Sequence, residues 1–177
     1  MGKIYLSILL FIFISFTLNS YINSKPLKIE NKTNETKYYY NEVINNLKNI
    51  EGFRNTWYKC SADKETIGYG ITKGLYKELD NLNFIDEKTA EKYLIKEFNK
   101  CLSIAEKDGL SKNKALAIAS FIYNVGPGNY KRSTLRKLLK ENKSIDKEII
   151  KWVHIKGKFS KGLMKRRKYE LKIFKNE

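Results

Sequence analysis

Residues Glu51 to Thr72 read EGFRNTWYKCSADKETIGYGIT. Just before them, Val43, Ile44, Leu47 and Ile50 recur at helical spacing, so a first helix is expected to end at Glu51. Within the stretch, Gly68 and Gly70 alternate with Ile67, Tyr69 and Ile71, which suits a short twisted hairpin over residues 60–72. A helix end therefore delivers a carboxylic acid, Glu51, to a Gly-containing hairpin. That hairpin carries a thiol nine residues on, Cys60, and a hydroxyl fifteen residues on, Thr66.

The remaining chain reads as helices. Asp86 is placed to cap a helix with Ala90, Tyr93, Leu94, Phe98, Cys101, Leu102 and Ala105 along one face. Ala115 to Val125 is apolar nearly all round, the pattern of a helix buried in the domain centre, and Gly126-Pro127-Gly128 stops it. Three shorter helices are expected from Thr134, over Ile145–Val153 with His154 in that same short element, and over Lys161–Phe174. Helix, small hairpin lobe, then mostly helices: this order implies an α+β fold with two lobes and a cleft between them.

A carboxylic acid to protonate a leaving oxygen, and a second group to manage a water or a developing cation, is the inventory for cleaving a glycosidic bond. The stretch with its T-I-G-Y-G ending resembles the active-site segment of phage-type lysozymes, the endolysins of glycoside hydrolase family 24. ASFIYNVGPGNYKRSTLRKLL (Ala119–Leu139), then Trp152, then GLMKRRKYELKIF (Gly162–Phe174) resemble that family's later landmarks, in the same order. The resemblance implies a lysozyme-like architecture and hydrolysis of the β-1,4 bond between N-acetylmuramic acid and N-acetylglucosamine, with inversion. Glu51 is then the general acid, while Cys60 and Thr66 manage the water.

Cys60 departs from the family's commoner Asp. As a thiolate it would be a base or a nucleophile, and it could also replace the carboxylate electrostatically, whereas a small buried hydrophobe is the plain alternative. Asp63 and Glu65 are nearby carboxylates away from the motif position. Arg166 is carried over as the charge partner of Glu51, with Arg167 adjacent; Ile71 stands where many relatives have His. Tyr69 and Asn124 are candidates for contact with sugar, and Asn124 is equally placed to cap the end of its helix. Trp57, Tyr58 and Tyr69 could wall the acid. A lytic transglycosylase, which needs no second base, and a wall-binding protein with a decayed site are the competing readings.

The 177 residues suit one domain, 41–177, behind a polar linker, 26–40, and an N-terminal segment, 1–25. That segment has a basic start and an apolar core from Ile4 to Leu18, short of the ~20 residues that span a bilayer. It reads as a signal peptide or a signal-anchor, hence export, to the periplasm, the exterior or a transient membrane tether. The net charge of +16 would draw the protein to anionic wall polymers or membrane surfaces, while no nucleic-acid motif accompanies it. No His/Cys cluster has metal-ligand spacing, and no cofactor is expected. Cys60 and Cys101 are too few for a disulfide framework and are expected to be free thiols. A monomer acting on peptidoglycan is the expectation.

Overall fold

The computed structural model describes residues 26–60 and 63–176. The reading of residues 1–25 as a signal or anchor lies outside them. The chain divides into two units, Met1–Tyr38 and Tyr39–Glu177. Among the described residues no helix is long and apolar enough to cross a membrane.

Helix α1, Pro26–Glu51, includes residues 26–40, which the sequence presents as an aperiodic linker. Neither Pro nor Gly occurs between Leu27 and Glu51. Once Val43, Ile44 and Leu47 are buried, the helix they anchor can therefore propagate through polar residues, since extension is far easier than nucleation. The far end of α1 stops at Gly52, whose φ of 68° is the left-handed turn-off favoured at a helix C-terminus; its N–H donates to Lys48 O at 3.0 Å.

A three-stranded antiparallel sheet follows in the order β1 (Arg54–Lys59), β2 (Glu65–Gly68), β3 (Ile71–Thr72). The hairpin thus begins earlier than residue 60. Thr56, Trp57 and Tyr58 are strand formers, and they find partners across β2. Tyr58 faces Thr66, Thr66 faces Thr72, and a bulge interrupts β1 between Arg54 and Tyr58. Gly68 closes the sheet onto the helices, because a Cβ there would meet Ala90 Cβ and Ile85 Cδ1 at 3.0 Å.

After the short α2 (Lys77–Asp80) come α3 (Glu87–Lys107) and α4 (Lys112–Val125). Asp86 caps α3 by accepting from Thr89 N at 2.6 Å, as its side chain and position indicate. Helix α4 is the centre of the domain, packed against α3 on one side and against the last helix, α8 (Lys161–Lys175), on another. Ile118, Ala119, Phe121 and Ile122 of α4 are fully buried, with Leu94 and Phe98 of α3 and Ile173 of α8. Pro127 does more than end α4: it is the first residue of α5 (Pro127–Arg132), where its fixed φ suits a helix start.

Helices α6 (Thr134–Lys140) and α7 (Asp146–Ile149) precede a hairpin, β4 (His154–Ile155) with β5 (Lys158–Phe159). His154 accordingly lies on a strand, not in a helix, and α7 is shorter than the expected 145–153. Ile155 and Phe159 favour strands, and Lys156-Gly157 makes the two-residue turn with φ of 48° and 78°.

Candidate active site

Glu51 ends α1 with its side chain 24% exposed, and its Oε1 accepts from Arg166 Nη1 at 2.7 Å. Arg166, on α8, is 2% exposed, so this contact is a guanidinium held inside the helical lobe reaching a carboxylate at its edge. The same guanidinium donates from Nη2 to Ser120 O of α4 at 3.1 Å and lies 3.4 Å, through Nε, from Glu170 Oε1. Three elements distant in sequence thus fix one carboxylate oxygen. The second oxygen faces the sheet: Gly70 passes so close that a Cβ there would sit 3.5 Å from Glu51 Oε2.

Beneath this contact is a buried charge cluster that the sequence reading did not contain. Glu170 is fully buried and takes Ser120 Oγ at 3.0 Å, Arg166, and Arg167 with Nε 2.9 Å from Oε2. Burial pushes the Glu170 carboxyl up while Arg167, Arg166 and Ser120 oppose that push. Burial also brings Arg167 down to about 10, with Glu170 acting the other way. Its guanidinium stacks 4.7 Å over the Phe121 ring and donates to Asn124 Oδ1 at 2.9 Å. The signal was present in the spacing Arg166-Arg167-x-x-Glu170 and in the lone Ser120 within an apolar helix. Helical geometry brings residues three and four apart together, but only packing shows that they are buried.

Thr66 is 3% exposed on β2, and its Oγ1 donates to Tyr58 O at 3.2 Å. That fixes the hydroxyl and leaves its lone pairs able to accept from a water. Cys60 follows directly on β1 and is partly exposed; its N–H donates to Lys64 O at 2.9 Å, and its carbonyl accepts from Asp63 N at 2.8 Å. The alternative carboxylates point to solvent: Asp63 pairs with Lys59 at 3.5 Å and Glu65 with Lys73 at 3.0 Å. Both cysteines are free. Cys101 is 5% exposed, and burial pushes its thiol up to about 12.

Tyr69 is 2% exposed; its phenol donates to Glu87 Oε1 at 2.6 Å and its ring packs on Phe53 at 5.7 Å. Its carbonyl accepts from Tyr123 OH at 2.8 Å, which ties the turn before Gly70 to α4. Burial, and then the nearby Glu51 charge, hold the Tyr123 phenol well above its ordinary range. Trp57 does its work away from the acid: its Nε1 donates to Leu82 O at 2.7 Å, and Lys73 Nζ lies 5.4 Å over its ring. Asn124 is exposed and bound to Arg167. A cleft of about 300 Å³ runs between sheet and helices, walled by Gly70, Ile71 and Thr72 on one side and by Cys101, Tyr123 and Pro127 on the other. Among the described residues no cluster of His, Cys, Asp or Glu is arranged to hold a metal.

The profile of the phage lysozyme family matches residues 48–170. The chain is similar to the endolysin of Bacillus phage B103, 34% identical over 138 residues covering 74% of this chain and 51% of the relative. It is also similar to the endolysin of Acyrthosiphon pisum secondary endosymbiont phage 1, 32% identical over 142 residues covering 73% and 92%. It thus spans about half the length of the first relative and most of the second. Its fold is similar to the endolysin from Escherichia coli O157:H7 phage FAHEc1, with a TM-score of 0.59, 26% identity, and 76% of this chain and 90% of that one covered. The matched span contains the acid, the sheet, the central helix and the arginine pair, and by it the chain belongs to the phage lysozyme family.

Proposed function

We propose that this protein is a peptidoglycan hydrolase, a muramidase, that cleaves the β-1,4 bond between N-acetylmuramic acid and N-acetylglucosamine. The supporting observation is the Glu51 carboxylate beside Gly70, a residue of the cleft wall, with its Oε1 held at 2.7 Å by a buried arginine. Arg166 fixes that oxygen, so Oε2 carries the proton and delivers it to the glycosidic oxygen as the bond to the sugar's C1 breaks. A water held by Thr66 Oγ1 adds to C1 from the opposite face, and the Cys60 side of the site receives the water's proton, inverting the anomeric centre. Tyr69 and Asn124 serve by placement: the first carries the turn that brings Gly70 to the acid, and the second binds Arg167 beneath it.

Glu51→Gln removes the proton and keeps the shape. It is expected to lower lysis of purified walls by ~10²–10⁴-fold while the protein stays folded, as its circular dichroism spectrum reads. Retention of more than about a tenth of the activity would overturn the role of Glu51. Because the second group is a thiol, a lytic transglycosylase is the competing chemistry, and product mass separates the two: hydrolysis adds a water that an anhydro-sugar product lacks. For the chain's first residues, we infer export to the cell wall, and a reporter fused after residue 30 should appear outside the cytoplasm.

A further inference from the structure

On the helical lobe, α5 and α6 enclose a concavity of about 520 Å³ lined by Lys131, Arg132, Arg136, Lys137, Lys140 and Glu141. That is five cations and one carboxylate, and the carboxylate is engaged by Lys143 at 2.8 Å. Arg136 is anchored by two bonds of 2.7 Å to Asp108, and Lys140 lies 3.7 Å from the same group. Lys131, Arg132 and Lys137 are exposed and form no ion pair among the described residues. Cations three and four residues apart on a helix repel one another, so folding does not favour this arrangement. A bound polyanion would relieve it.

We propose that this groove binds a phosphodiester-linked polymer of the bacterial cell wall, an inference that rests on the proposed action on peptidoglycan. Guanidinium forks and lysine ammonium groups match phosphate oxygens in charge and hydrogen bonding. A concave wall suits a chain better than a flat bilayer, and none of the large exposed hydrophobic side chains lies on α5 or α6. No aromatic ring lines the groove, so it offers no stacking platform for nucleic acid bases. Position adds to the case. Pro127, at the start of α5, walls the 300 Å³ cleft, and Lys131 and Arg132, at its other end, wall the groove. At 1.5 Å per residue the two sites are roughly 8 Å apart along that helix. A glycan strand in the cleft would bring phosphodiester chains attached to it within reach of the groove.

The test uses the full chain carrying Glu51→Gln, so that binding is read without hydrolysis, and labelled poly(glycerol phosphate) as the probe. The groove variant is Lys131→Gln/Arg132→Gln/Lys137→Gln, which leaves the Asp108–Arg136 anchor in place. The control is Lys156→Gln/Lys158→Gln/Lys161→Gln, which removes equal charge from another exposed surface. The groove variant should bind at least tenfold more weakly and lower the slope of log affinity against log salt by roughly 2, because fewer counterions are released; the control should change affinity less than threefold. Equal losses in both would reduce the effect to net charge and overturn the proposal. So would groove-dependent binding to anionic vesicles or an oligonucleotide as strong as that to the polymer. With Glu51 restored, the groove variant should lyse intact walls at least threefold more slowly than the parent and stripped walls at the parent's rate. Absence of lysis by the parent on both walls would count against the hydrolase reading, while the binding comparison would still decide the groove.

Discussion

Cys60 and Cys101 are the same residue type in opposite situations. Cys101, on α3 at the wall of the cleft, is only 5% exposed, and burial pushes its thiol up to about 12, whereas Cys60 is partly exposed at the end of β1. Iodoacetamide at neutral pH is therefore expected to modify the native protein at Cys60 alone, because only a thiolate reacts and only an accessible one is reached. Peptide mass mapping reads this directly; modification of Cys101 at a similar rate would contradict the burial. If Cys60 manages the water, that alkylation should stop wall lysis. Cys60→Asp should keep lysis within about tenfold of the parent, and Cys60→Ala should lose ~10²-fold or more. Full activity of Cys60→Ala would make it a packing residue.

At the level of elements, the β4–β5 hairpin takes His154 out of the short helix expected for it. Its turn forces Lys156 to a φ of 48°, a left-handed conformation that costs a side chain with a Cβ about 1–2 kcal/mol. Asn tolerates that region, and Asn-Gly is the favoured pair for such a turn. Lys156→Asn should therefore raise stability by roughly 0.5–1 kcal/mol, read as a shift in the urea midpoint at unchanged slope. A loss of stability would mean that the turn is not the left-handed one described. Helix α1 shows the converse: a long polar segment becomes helical because its far end is buried, a decision made outside the segment itself.

Over the whole domain, Asp108 joins three helices. It follows α3, accepts two bonds from Arg136 of α6, and takes Tyr130 OH of α5 at 2.9 Å, with 5% of its side chain exposed. Arg136, above all, and then Tyr130 hold its carboxyl below the ordinary carboxylate range. A group depressed in the folded state contributes stability that is complete above its unfolded value, about 3.9, and is lost as pH falls through the lower folded value. Asp108→Asn should cost about 2 kcal/mol at pH 7, and its stability should fall less steeply than the parent's below pH 4. Parallel acid profiles for both proteins would show that the anchor has no such linkage.

The α+β order, the helix ending at Glu51, the Asp86 cap, the buried α4 and the spacing of Glu51, Cys60 and Thr66 were all legible in the chain, since each rests on local periodicity or on a motif within a few turns. The mixed fold with its small sheet and the family membership agree with that reading. Element edges were less legible: β1 begins at Arg54, α1 extends back to Pro26, and His154 lies on a strand. Strand pairing and helix extension depend on partners far away in sequence, and no local pattern encodes them. The Ser120–Arg166–Arg167–Glu170 cluster was hidden for the same reason. Of its residues only Arg166 was drawn toward Glu51, by the resemblance; the docking of α8 on α4 buries all four together, so that desolvation makes each charge depend on the others while one guanidinium reaches Glu51 across 115 residues.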